Sequence, residues 1–335
     1  MMFQTKCIQE IFSEEISREE KLVKTKVAAV IVTYNRKQLL VECLQALLAQ
    51  TVELTNITVI DNASTDGTKD LLQEKHLLDN KVIDYVLLSE NIGGAGGFYE
   101  GLKRLKDKSY DWVWIMDDDT IPQPDALAEL LKADKTIVEK TGKEASFLAS
   151  SIYGEKGEVM NVPELDDHSA ENGYHYWYRL LSDGIVNIKT ATFVSILVNS
   201  KALAKVGLPC RDYFIWGDDS EYTTRLVKYF GPAYMVGKSI AIHKRKNASN
   251  LNILKENDAK RIQMYHYMFR NQLVNILYYD GKKAGLKKGL RDLKTSLQGM
   301  KNPLRFKIAY QILKGDLEAL KKYRTFAKYI DNELN

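Results

Sequence analysis

Only three cysteines occur in this chain, Cys7, Cys43 and Cys210. They are too few, too far apart and odd in number for a disulfide framework, and no CxxC pair marks a zinc or dithiol site. They read as reduced thiols, which points to the cytosol. No apolar run is long enough to span a bilayer. The N-terminus, carrying Glu10, Glu14, Glu15, Glu19 and Glu20, lacks the basic-then-apolar order of a signal peptide. The expectation is a cytoplasmic protein, peripheral at the inner face of the cell membrane. With 48 basic and 44 acidic residues the formal charge is only +4, so no nucleic-acid partner is expected and any electrostatic feature has to be local. The dinucleotide fingerprint and the P-loop lysine are missing, and no Ser/His/Asp or Cys/His arrangement suggests covalent catalysis.

What is present is strand, loop, helix grammar. Val27-Ala28-Ala29-Val30-Ile31-Val32 is a continuous apolar run of the kind buried on both faces of a parallel sheet, and it ends in Thr33-Tyr34-Asn35-Arg36. Leu39, Leu40, Cys43, Leu44 and Leu47 follow at helical spacing. A strand from Asn56 to Ile60 then meets the turn Asp61 to Thr68, and a strand from Val82 to Leu88 meets the loop Asn91 to Gly97, with a helix expected from Phe98. A fourth strand, Val113 to Met116, runs into Asp117-Asp118-Asp119. Repeated βαβ units imply an α/β fold, a Rossmann-like, mostly parallel sheet flanked by helices, whose carboxyl edge gathers these loops into one site. The expected organisation is an extension over residues 1–25, a catalytic domain over 26–250 and a helical, basic amphipathic region over 251–335. In that last region Lys282, Lys283, Lys287, Lys288, Arg291, Lys294, Lys301, Arg305 and Lys307 interleave with Leu286, Leu290, Leu293, Leu297, Leu304 and Phe306. Such a face suits either peripheral contact with anionic lipid or packing on the core or in a homo-oligomer.

Three adjacent carboxylates need compensation, since crowding ionised acids away from water costs several kcal/mol each. Hard oxygen ligands at a strand end suit Mn²⁺ or Mg²⁺ together with a phosphorylated substrate. His243, after the stretch Ser239 to Ile242, is either a structural histidine or a further ligand. Asp61, Asn62, Asn35 and Arg36 serve equally as turn and cap residues or as contacts to a nucleotide, whereas Ser64-Thr65-Asp66 reads as a helix cap. Gly93 and Gly94, behind Asn91, remove side chains where backbone approaches a phosphate or forms a tight turn. In Trp216-Gly217-Asp218-Asp219-Ser220-Glu221 a second acidic cluster offers a carboxylate apart from the metal, as proton abstraction from a hydroxyl requires.

Six ordered segments, VAAVIVTYNR, VIDNASTDGT, NIGGAGGF, VWIMDDDT, FIWGDDSEY and IAIHK, together resemble family 2 glycosyltransferases of the GT-A fold. That resemblance implies an inverting transfer from a nucleotide diphosphate-sugar donor. It implies Asp117, Asp119 and His243 as metal ligands and Asp219 as the base, with Trp216, Asp218 and Glu221 lining the sugar or acceptor pocket. Thr33, Asn35, Arg36, Asp61, Asn62, Asn91, Gly93, Gly94 and Asp118 would then hold the nucleotide, a uridine or thymidine diphosphate. Within the family the loops look most like bacterial galactofuranosyltransferases acting on a lipid-linked glycan of the cell wall or surface; rhamnosyltransferases using dTDP-rhamnose share the motifs. A catalytically silent binding protein on the same fold is the alternative of another class. Nucleotidyl transfer would require a basic, glycine-rich signature that is missing between Val27 and Leu40.

Overall fold

A computed structural model describes residues 25–106, 108–245, 251–298 and 303–334; the expected extension over residues 1–25 lies, except for its last residue, outside them. The strands are β1 (Val27–Thr33), β2 (Asn56–Asp61), β3 (Ile83–Leu87), β4 (Trp112–Asp117), β5 (Thr120–Pro122), β6 (Phe147–Tyr153), β7 (Val159–Met160), β8 (Glu164–Leu165), β9 (Ile185–Thr190), β10 (Ser195–Asn199) and β11 (Ala233–His243). The helices are α1 (Lys37–Leu48), α2 (Thr68–Glu74), α3 (Gly93–Leu105), α4 (Ala126–Thr141), α5 (Ser200–Val206), α6 (Asp218–Tyr229), α7 (Ala259–Tyr279), α8 (Lys282–Gln298) and α9 (Arg305–Leu334).

The sheet runs β3-β2-β1-β4-β10-β6-β11-β9-β8. Its first four strands are all parallel, as the βαβ grammar requires, while β10 is antiparallel to both neighbours and β11 pairs parallel with β6. Why β1 is apolar throughout is visible in where its side chains go. Val27, Ala29 and Ile31 enter one core layer, and Ala28, Val30 and Val32 enter the other, because successive residues of a strand point to opposite faces. Each fully buried valine or isoleucine of such a strand contributes roughly 1.5–3 kcal/mol. A chain of buried hydroxyls crosses the middle of the sheet: Trp114 Nε1 donates to Ser195 Oγ at 3.0 Å, which bonds Ser150 Oγ at 2.8 Å, which bonds Ser239 Oγ at 2.8 Å.

Two expectations change. The stretches around 233–236 and 239–242 are one strand, β11, with a register irregularity between Val236 and Ile240. The glycine cluster is no loop but the opening of α3. A Cβ on Gly97 would stand 2.4 Å from Val32 Cγ1, and one on Gly101 would stand 2.3 Å from Val30 Cγ1, so these glycines let the helix lie directly on β1. Only Gly94 of the cluster faces open space.

The C-terminal helix α9 packs back on the segment that follows α5. Tyr329 Oη donates to Pro209 O at 3.0 Å, Leu208 N donates to Glu333 Oε2 at 2.6 Å, and Phe326 meets Tyr213 edge-on at 5.0 Å. Among the described residues no helix is long and apolar enough to cross a membrane, and Cys43 and Cys210 are buried free thiols.

Two alanine substitutions separate packing from helix propensity. Alanine favours a helix over glycine by about 1 kcal/mol, yet at Gly101 the overlap with β1 should outweigh this and leave the protein destabilised by about 1–2 kcal/mol. At Gly289 in α8, where an added Cβ meets nothing within 4 Å, the same change should stabilise by about 0.5–1 kcal/mol. Urea denaturation of the two variants measures both.

Candidate functional site

Asp117 closes β4, and the turn through Asp118 and Asp119 leads into β5, whose Thr120 lies opposite His243 in the antiparallel pairing with β11. That pairing brings a residue from late in the chain to the carboxylates. His243 Nε2 stands 3.0 Å from Asp119 Oδ1, and ligand atoms of Asp117, Asp119 and His243 all lie within 4.8 Å of one another. The opposite edge of the imidazole meets Asn161, whose Oδ1 is 2.9 Å from His243 Nδ1 and whose Nδ2 donates to Thr192 Oγ1 at 3.2 Å. Asp119 Oδ1 is buried and has no hydrogen-bond partner. With His243 Nε2 and the Asp117 carboxylate it makes up a cluster of ligand-type atoms at the strand end. Two carboxylates and an imidazole nitrogen therefore fit a divalent ion of the Mn²⁺ or Mg²⁺ class, with the nitrogen favouring Mn²⁺.

The middle carboxylate does something else. Thr33 Oγ1 donates to Asp118 Oδ2 at 2.7 Å, and Arg36 Nη1 bridges Asp118 Oδ1 at 3.1 Å and Asp119 Oδ2 at 2.7 Å. The arginine compensates two acids at once and ties the loop after β1 to the turn after β4. Burial, with the charge of Asp119 added, pushes Asp117 up to about 7; burial against the opposing charge of Arg36 takes Asp118 to about 6. Arg245, two residues past His243, sits half-buried in the field of Asp119 and Asp117, beside Arg36 and Arg261. It adds positive charge where a diphosphate would lie.

The remaining loops sort into those that hold and those that stay open. Asn35, at a left-handed φ of 53°, accepts Thr65 N at 2.7 Å and so links the first two loops. Asp61 is buried, accepting Ser64 N at 2.7 Å and Tyr85 Oη at 2.5 Å, and so braces the loop after β2. Asn62 Nδ2 donates to Gly93 O at 3.0 Å, while Asn62 Oδ1 is buried without a partner. Asn91 Oδ1 caps Gly93 N at 2.9 Å. Gly93 has a φ of 78°, and an added Cβ would stand 2.2 Å from Phe214 O, so this glycine serves a tight turn and close packing.

Asp218 and Asp219 open α6 behind Gly217, at a φ of 96°. Trp216, also at positive φ, packs on Tyr265 with ring centroids 5.0 Å apart. Burial, reinforced by Asp219, pushes Asp218 up to about 8, and burial raises Asp219 against hydrogen bonds from Ser220. Glu221 corrects the sequence reading. Its side chain is fully buried in an ion pair with Arg225 at 2.9 Å and accepts Tyr279 Oη at 2.7 Å, so it lines no sugar pocket. The cause is helix geometry: Glu221 and Arg225 are four apart, on the inner face of α6. A cavity of about 630 Å³, lined by Ile92, Gly96, Arg211, Phe214, Tyr267 and Arg270 among others, contains none of the clustered carboxylates. Asn161 and Arg245 were missed in the sequence. Arg245 was within reach, two positions beyond the histidine, but nothing local marks Asn161.

Comparison with known proteins follows this geometry. Residues 28–138 match the family described as Glycosyl transferase family 2. The chain is 27% identical over 218 residues to the galactofuranosyltransferase GlfT1 of Mycolicibacterium smegmatis, covering 60% of this chain and 65% of that protein. It is 31% identical over 214 residues to GlfT1 of Mycobacterium tuberculosis, covering 60% and 64%. The matched stretch thus spans a little under two thirds of these relatives. Among solved structures, the mannosyltransferase PcManGT from Pyrobaculum calidifontis, in complex with GDP-Man and Mn²⁺, aligns with a TM-score of 0.49 and 17% identity over 93% of this chain and 86% of that one.

The raised Asp218 makes stability depend on pH with a definite sign. Between its unfolded value, near 4, and its folded value of about 8 the folded state holds a proton that the unfolded chain releases, so this group's contribution falls as pH rises through that window. Asp218→Asn should remove that loss: against wild type, its relative stability should climb from pH 4 to pH 8 by on the order of a few kcal/mol. Chemical denaturation across that range measures the difference.

Proposed function

From a chain that carries a glycosyl transferase family 2 domain over residues 28–138, we propose an inverting glycosyltransferase that moves a sugar from a nucleotide diphosphate donor to a glycan hydroxyl. The observation that carries the reading is the convergence of Asp119 Oδ1 and His243 Nε2, 3.0 Å apart, beside Asp117, with ligand atoms of all three within 4.8 Å of one another. Asp117, Asp119 and His243 would hold Mn²⁺ or Mg²⁺, whose charge, when bound, offsets that of the departing diphosphate.

The chain's own residues do the rest. Asp219 takes the proton from the acceptor hydroxyl as the oxygen forms its bond to the anomeric carbon, and the bond from that carbon to the diphosphate oxygen breaks with inversion. Burial beside Asp218 raises the proton affinity of Asp219, which suits a general base working near neutral pH. Arg36 and Arg245 present guanidinium groups toward the acidic edge, where the leaving group accumulates charge. Thr33, Asn35, Asn62, Asn91, Gly94 and Asp118 line the approach for the nucleoside, with Gly94 leaving backbone exposed. Trp216 and Asp218 border the sugar. Two galactofuranosyltransferases among the relatives support UDP-galactofuranose as donor and a lipid-linked surface or cell-wall glycan as acceptor.

Release of UDP from UDP-galactofuranose in the presence of acceptor and Mn²⁺ tests the reading. Asp219→Asn should lower kcat by about 10²–10⁴-fold while leaving donor KM nearly unchanged, and chelation should abolish turnover. Turnover indifferent to chelator would remove the metal, and a parallel loss of donor affinity in the variant would remove Asp219 as base.

A further inference from the structure

The helix α8 is built inside out. Its inner face buries Lys288, Asp292 and Ser296, exposed by only 7%, 4% and 5%, while Leu286, Leu290, Leu293 and Leu297 stand 69%, 60%, 47% and 65% exposed. Those leucines fall at positions i, i+4, i+7 and i+11, one stripe of a helix. A helix whose only neighbours were this protein and water would have the reverse arrangement. The inversion is held in place by structure: Lys288 pairs with Asp292, Lys288 Nζ lies over the Phe269 ring at 4.9 Å, and Gly285 packs against Leu277 of α7. Rotating the helix to hide its leucines would take Lys288 off the Phe269 ring and Gly285 off Leu277. Next to it, α9 repeats the pattern with Phe306, Tyr310, Leu313, Leu317 and Leu320 exposed at the same kind of spacing.

We propose that this outer face of α8, continued by α9, is a docking surface for a lipid bilayer carrying anionic headgroups. The charge distribution selects this occupant. Lys283, Lys287, Arg291 and Lys294 are exposed along the flank of the leucine stripe, and the one acid of α8, Asp292, is buried against Lys288. On α9 the exposed Lys307 and Lys321 stand in the same relation to the apolar stripe. A second copy of the chain docking through this stripe would bring the α8 cations against one another. A bilayer with acidic headgroups accepts the leucines into its acyl boundary and the lysines at its surface. Since no described helix can span a membrane, the helices would lie in the plane of the interface. This inference stands apart from the reading of the active site.

Sedimentation of the full chain with vesicles of phosphatidylcholine, with and without phosphatidylglycerol, tests it. Binding is expected to the mixed vesicles, to weaken in high salt and to be slight on phosphatidylcholine alone. The double variant Leu290→Glu/Leu293→Glu and, separately, Lys287→Gln/Arg291→Gln should each lower partitioning by at least about tenfold. All four side chains are exposed, so circular dichroism and UDP release in solution should match wild type. Absence of binding to either vesicle, or binding that neither variant weakens, would overturn the proposal. So would a dimer in analytical ultracentrifugation that Leu290→Glu/Leu293→Glu dissociates, because the occupant would then be a second copy.

Discussion

Crowding of like charge at the end of β4 is the constraint around which the catalytic half is arranged. Asp117, Asp118 and Asp119 arrive together because a buried strand stops there, and each receives a different form of compensation. Asp118 is tied to Thr33 and Arg36, Asp119 is shared between Arg36 and the histidine delivered by β11, and Asp117 is left with burial and its neighbours' charge. The antiparallel return of β5 against β11 is what makes the second arrangement geometrically available. Antiparallel pairing in this part of an otherwise βαβ sheet therefore has a chemical purpose: it brings residue 243 beside residue 119 without a connecting motif.

How far this was legible in the sequence depends on the range of the interaction that set each residue's place. Val27 to Val32 announced a doubly buried strand because burial on both faces removes alternation. The three acids and the histidine pointed to one cluster because few environments tolerate them singly, and β4, β5 and β11 do bring Asp117, Asp119 and His243 together. Glu221 misled because acidic residues in a motif read as chemistry, yet Arg225 and Tyr279 claim its carboxylate. The glycines from Gly93 to Gly97 looked like a loop because propensity disfavours glycine in helices, whereas tertiary contact with Val32 decides in favour of a helix that must come close. Asn161 had no signal at all, being a loop residue that matters only through the far edge of an imidazole.

The polar seam and apolar exterior of α8 illustrate a further limit. Composition showed leucines interleaved with lysines but could not say which set faces inward, since amphipathic periodicity is the same for a helix and for its inverse. Only the partners, Phe269, Asp292 and Leu277, decide it.

The segment before Asp219 contains three left-handed residues, Phe214, Trp216 and Gly217, and a non-glycine residue in that region costs about 1–2 kcal/mol. Asn271 of α7 holds it there: its side-chain amide donates to the carbonyls of Tyr213, Ile215 and Trp216 at 3.0, 3.1 and 2.7 Å, while Asn275 takes the carbonyl of Gly217. The bend that leads into Asp218 and Asp219 is thus pinned from α7, in the helical region that follows the sheet. Evolution cannot trade that helical region as an interchangeable module, since any replacement would have to offer an amide at the same height above the bend or let the strained peptide relax and carry its carboxylate away.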